Sequence, residues 1–157
     1  MLDTNLDVEK LKKLQFKIMK DVAASALIPL MRIGDQLGLF QKLSALGPIT
    51  SKKFAEKAKV DERYLREWLY ALSATDFVSY DGEKEEFSLS PEQKAVFADE
   101  EGPANMLGAY EVLAGQVYAE EKVLEAFKTG NGVAYENACP LCFCLLYTSD
   151  AADDGLS

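Results

Sequence analysis

The sequence predicts a mainly α fold with a small β-hairpin, a winged helix-turn-helix joined to dimerisation helices. Three observations predict it. Tyr64, Leu65, Trp68, Leu69 and Leu72 recur at i, i+1, i+4, i+5 and i+8, the stripe of a helix that turns one face to a core. A short amphipathic segment, SKKFAEKAK (residues 51–59), precedes that stripe across a tight turn at Val60. Beyond it, FVSY (77–80) and EFSLS (86–90) flank an Asp81-Gly82 turn, and Asp-Gly between β-prone runs signals a hairpin.

The elements follow in order. In residues 8–20, Val8, Leu11, Leu14, Phe16 and Ile18 fall close to a helical period with lysines opposite. Asp21 is a plausible N-cap for a second helix running toward Ser44, apolar nearly all round through Ala23, Ala24, Ala26, Leu27, Ile28, Leu30, Met31 and Ile33. A helix apolar on several sides needs cover on several sides, and in a chain this short a partner subunit is a ready source. Leu27 and Met31 are therefore the predicted dimer-interface residues. Pro29 should kink this helix, and Gly34 and Gly38 permit close packing or a break. Ile49 fits a short strand, Thr50 or Ser51 can cap residues 51–59, and Asp61 can cap the stripe helix. Ser90-Pro91 opens a further helix in the favoured order of cap and first-turn proline. Residues 102–130 supply one or two more helices, with Gly130 as C-cap.

The expected organisation is thus dimerisation helices over 1–45, a winged helix-turn-helix over 46–98 and a helical linker over 99–135. With 157 residues there is room for one domain, or one and part of a second. The longest apolar run, Ala24–Met31, falls well short of a bilayer span. The N-terminus carries no apolar signal region, so a cytoplasmic protein without a membrane role is expected.

Charge bears on partners. Net charge is −9. Residues 1–45 hold seven Lys/Arg against five Asp/Glu, residues 50–75 six against four, and residues 81–128 four against twelve. A protein that lives on phosphates shows a basic surface, because neutralising phosphates supplies most of its affinity. Here the candidate wing is acidic. Arg63 and Arg66, on the outer side of the stripe helix, could meet guanine edges or phosphates. They are more simply solvated partners of Glu62 and Glu67 on the same surface. Trp68 with Tyr64 and Tyr70 could form a stacking platform, but the stripe spacing assigns Trp68 and Tyr64 to the core. The chain has no histidine, which removes the commonest general base and the Ser-His and Cys-His dyads.

Gly130-x-Gly132 follows a helix, whereas a dinucleotide fingerprint follows a strand, so it is a loop. All three cysteines, Cys139, Cys142 and Cys144, fall in six residues. A zinc site would need a fourth ligand that the chain does not offer. Residues 144–153, CLLYTSDAAD, resemble the translation of a transposase mosaic-end sequencing adaptor. Residues 144–157 are accordingly read as an artefactual tail, and the source locus is expected to continue in open frame beyond the codon for Phe143.

IGDQLGLF (33–40), DERYLREWL (61–69), YDGEKEEFSLSPE (80–92) and TGNGVAYE (129–136) run in order through a region that resembles the N-terminal winged-helix region of class I S-adenosylmethionine-dependent methyltransferases. The resemblance covers roughly residues 20–135. It implies that the N-terminal helices dimerise and that the winged helix sits on the substrate side of a C-terminal Rossmann-like domain, the missing partner in cis. The donor-cradling D-x-G-x-G segment of that family has no counterpart here. No catalytic, cofactor-binding or metal residue can be carried over, and S-adenosylmethionine is implied only for the full-length parent. The alternative is a stand-alone winged-helix transcription regulator, in which Arg63 and Arg66 would touch DNA.

Overall fold

The computed structural model describes residues 6–133. The chain runs α1 (Val8–Ser25), α2 (Leu27–Gln36), α3 (Leu39–Leu46), β1 (Ile49–Thr50), α4 (Ser51–Ala58), α5 (Glu62–Ser73), β2 (Ser79–Asp81), β3 (Glu86–Ser88), α6 (Pro91–Phe97), α7 (Leu107–Tyr118) and α8 (Glu120–Thr129). The three strands form one antiparallel sheet in the order β1-β3-β2, with Ile49 opposite Phe87 and Tyr80 opposite Phe87 on the other side. Mainly helical, with a small hairpin: this is the winged helix-turn-helix that the sequence predicts.

Local chemistry sets most boundaries. Asp7 caps α1 by accepting from the amides of Glu9 and Lys10. Asp61 caps α5 through the Tyr64 amide. At α6 Ser90 and Gln93 exchange side-chain and backbone bonds in a full capping box, with Pro91 in the first turn. Gly130 ends α8 at φ 74°, a conformation with no steric cost for glycine. Asp21 does not start a helix as expected: α1 continues through it to Ser25. The break comes at Ala26, because Pro29 offers no amide to the Ser25 carbonyl and its ring crowds that group. Once α2 begins at Leu27, Pro29 sits in the first turn, where a missing amide costs nothing. At α4, Thr50 occupies the cap position without a side-chain bond. Ser51 turns away and donates to Glu62 at 2.8 Å, tying α4 to α5.

The core forms where α2, α3, α4, α5, α6 and the hairpin converge. Met31, Leu39, Phe40, Leu43, Phe54, Leu65, Trp68, Leu69, Leu72, Val78, Phe87 and Phe97 are all buried. Phe40 is its centre, edge-on to Trp68 at 5.2 Å and 5.3 Å from Phe97. Trp68 donates its indole N–H to the Leu30 carbonyl at 2.8 Å, which satisfies the one polar atom the ring takes inside. Tyr64 departs from the expected stripe and is 77% exposed. It lies in the first turn of α5, four residues before Trp68 and at the edge of the buried face, but no neighbouring element extends far enough to cover it.

Two regions stand outside this core. No residue of α1 is buried, and its companion is α2. Helix α8 likewise buries nothing and leans on α7, which packs on α2.

Candidate functional site

Three surfaces could carry a function: the outer face of α5 with the wing, a charged seam between α2 and α7, and an apolar groove along α7 and α8.

On the first surface Arg63 is exposed, while Arg66 pairs with Glu62 one turn earlier at 3.1 Å. Glu62 also receives the Ser51 hydroxyl. A nucleic acid would have to compete with Glu62 for Arg66. The wing tip is acidic: Glu83, Glu85 and Glu86 surround a turn organised by Asp81, which accepts from the amides of Glu83 and Lys84 and pairs with the Lys84 ammonium at 3.3 Å. The Lys84 amide, then that of Glu83, holds the Asp81 carboxyl below the usual carboxylate range. Asp81 therefore anchors the turn at neutral pH and loses that role only as pH falls through its lowered value. A carboxylate fixed in its charged form at the wing tip repels phosphate. Behind the wing, a hollow of about 610 Å³ is lined by Tyr70, Asp76, Ser79, Tyr80 and Gln93. Its walls are held by Ser79 and Gln93 at 3.0 Å and by Gln93 donating to the Asp76 carbonyl at 2.7 Å.

The second surface was not legible from spacing. Arg32 of α2 pairs with Glu111 of α7 at 2.8 Å, across 79 residues of sequence. Beside them burial raises the Asp35 carboxyl above its ordinary value, and repulsion from Glu111 and Glu100 raises it further. The folded chain thus holds a proton on Asp35 more tightly than the unfolded chain does. That preference favours folding at acid pH and is lost as pH rises through the raised value. Asp35→Asn is expected to raise the melting temperature at pH 7 and to leave it unchanged near about pH 3, where the wild-type group already carries a proton. Equal effects at both pH values would refute this reading. Among the described residues, no group of three or more metal-ligating side chains converges. The three cysteines and the tail lie outside the described residues.

The third surface is a groove of about 600 Å³. Ile28 of α2, Leu113 and Val117 of α7, and Val123, Leu124 and Phe127 of α8 form its apolar lining. Phe127 is 86% exposed, and Val117 and Leu124, which line the groove with it, are also more than half exposed. Such contiguous apolar surface is a mark of an interaction site. The sequence placed the α7 and α8 residues of this lining in one or two helices over 102–130, but did not show that their apolar faces stay open.

The predicted dimer residues are placed differently from each other. Leu27 is half-buried at the start of α2 and packs against the core. Met31, one turn on, is 0% exposed and belongs to the chain's own core. No described helix is long and apolar enough to cross a membrane.

Residues 23–98 match the family model of the Rv2258c-like winged HTH domain. Curated proteins gave no sequence match. Among solved structures, the chain resembles an assigned O-methyltransferase of Nostoc punctiforme PCC 73102, at TM-score 0.54 and 22% identity, over 78% of this chain and 36% of that one. It also resembles human N-acetylserotonin methyltransferase in complex with SAM, at TM-score 0.58 and 12% identity, over 83% and 37%. A third likeness is to CalO1, a methyltransferase of calicheamicin biosynthesis in SAH-bound form, at TM-score 0.57 and 16% identity, over 85% and 37%. The chain therefore spans little more than a third of the length of each of these proteins.

Proposed function

We propose that this chain, a winged helix-turn-helix of the Rv2258c-like type with helices on either side, is the N-terminal dimerisation and substrate-side region of an S-adenosylmethionine-dependent methyltransferase. The donor-binding, Rossmann-like domain lies outside the described residues. The observation that carries this reading is the contrast between a filled core in residues 27–107 and the open apolar faces of α1, α7 and α8 on either side of it. A self-sufficient domain does not leave such faces in water. A likeness that spans about a third of three methyltransferases supports the same reading.

The winged helix then packs and positions rather than reads bases. Duplex DNA is expected to show no affinity for this chain even at low salt, because Arg66 is paired and the wing is acidic. Binding that weakens steeply with rising salt would favour the regulator reading instead. Titration calorimetry with S-adenosylmethionine is expected to show no saturable binding to this chain, and micromolar binding would overturn the assignment.

Assembly as a homodimer through the N-terminal helices belongs to the same proposal. Leu27 stands at the edge of that surface, and Met31 supports it from the core behind. Leu27→Asp should give monomers or insoluble protein, whereas a soluble dimer of unchanged strength would exclude Leu27 from the interface.

A further inference from the structure

Between α2, α3 and the start of α5 lies a cleft of about 310 Å³. Leu39, Leu65 and Trp68 line it and are almost wholly buried, so they make its floor. Ile33 and Leu37, at the end of α2, are each 45% exposed and form its rim with Tyr64. Val60 and Asp61, in the turn before α5, supply the rest of the lining.

These walls are fixed before any ligand arrives. The Trp68 indole N–H is held by the Leu30 carbonyl at 2.8 Å. The Leu37 carbonyl accepts from the Lys42 ammonium at 2.6 Å, and Asp61 caps α5 by accepting from the Tyr64 amide at 3.2 Å. A preformed, mainly apolar hollow with few polar groups has the character of a small-molecule site, and this one falls at the lower end of the range of about 300–1,000 Å³.

Chemistry narrows the ligand. Tyr64 and Trp68 stand one turn apart on the same side of α5, and both line the cleft. Two aromatic walls favour an aromatic guest, because ring–ring contacts add to the plain burial of area. Asp61 is the one charged residue of the lining. One of its carboxylate oxygens serves the cap, and the other has no partner among the described residues. That oxygen can accept a hydroxyl or amino hydrogen, and it repels an anion. Asp61 also supplies the negative charge that the positive end of the α5 dipole would otherwise draw from a ligand.

We propose that this cleft binds an aromatic alcohol or amine of one or two rings, its ring over Leu65 and Trp68 and its donor hydrogen on Asp61. Binding covers Ile33, Leu37 and Tyr64, three side chains that the fold leaves in water at the edge of a filled core. The site lies wholly within residues 33–68 and does not depend on the methyltransferase assignment.

The test is titration calorimetry of the full chain with 2-naphthol and 2-naphthoate, which share a ring system and differ in charge. 2-Naphthol should bind saturably, one molecule per chain. 2-Naphthoate should bind at least about tenfold more weakly, since its carboxylate meets that of Asp61. Asp61→Asn keeps a capping side chain and removes the charge, so the gap between the two probes should largely close. Tyr64→Ala, at a side chain that the fold barely covers, should weaken 2-naphthol by about three- to tenfold. Phe127→Ser, in the α7–α8 groove, should leave its affinity unchanged. No saturable binding of 2-naphthol to the wild-type chain would overturn the site. Binding lost in Phe127→Ser and kept in Tyr64→Ala would place the ligand in the groove and overturn it equally. A gap between the probes that survives Asp61→Asn would overturn the hydrogen bond to Asp61.

Discussion

Phe40→Ala is expected to lower the stability of the chain by about 3–5 kcal/mol, the usual cost of emptying a fully buried aromatic site. The side chain has no accessible surface and meets Trp68, Phe97 and the backbone of Gly34. It therefore joins α2, α5 and α6 to α3, and the rings around it are themselves too constrained to collapse into the space. Against a total of about 5–15 kcal/mol for a small domain, that loss takes the protein close to unfolding at physiological temperature. Trp68 is the single tryptophan and borders the site, so urea unfolding followed by its fluorescence reports the change directly. A loss below about 1 kcal/mol would mean that Phe40 is not the centre of the core.

Gly34→Val should be the second severe substitution, for the opposite reason. A Cβ built on Gly34 falls 2.6 Å from ring carbons of both Phe40 and Trp68, closer than any real contact, and neither ring can retreat. Overpacking of this kind costs about 1–3 kcal/mol and more where the backbone must move. The better helix propensity of a residue other than glycine returns at most about 1 kcal/mol of it. The two substitutions share one volume, so they should not add. Gly34→Val combined with Phe40→Ala should be less harmful than the sum of the single losses, because the valine enters the cavity that the ring leaves. Strict additivity in the same urea experiment would refute the shared-volume account.

These two sites show what could be seen in the sequence. Gly34 in IGDQLGLF signalled close packing, since an isolated glycine in an apolar helix needs a packing reason. Which rings fill the space opposite it was not readable, because Phe40 and Trp68 reach it from α3 and α5. The α5 stripe was readable as periodicity, yet Tyr64, one turn before Trp68 at the N-terminal end of the stripe, stays exposed. A first-turn residue is buried only if a neighbouring element extends far enough to cover it, and none does. Asp21 has the chemistry of a cap and sits inside α1, because Pro29 placed the break five residues further on, at Ala26. Arg63 and Arg66 were placed correctly on the outer face, whereas the Ser51–Glu62–Arg66 chain that occupies Arg66 depends on how α4 turns against α5.

The sequence by itself determined the winged helix-turn-helix, because that module is written in local signals: a 3.6-residue stripe, Asp and Ser caps, a proline after a cap and an Asp-Gly turn. Each of these acts within one turn or one hairpin and needs no distant partner. Tertiary structure alone decided which apolar faces are closed and which stay open. Met31 and Ile33 look equivalent in sequence, two residues apart in one apolar helix, yet one is sealed in the core and the other is exposed. Burial is a property of what arrives from elsewhere in the chain. The same holds for α1 and for the groove of Val117, Leu124 and Phe127, whose open faces emerge only once every other helix has found its place.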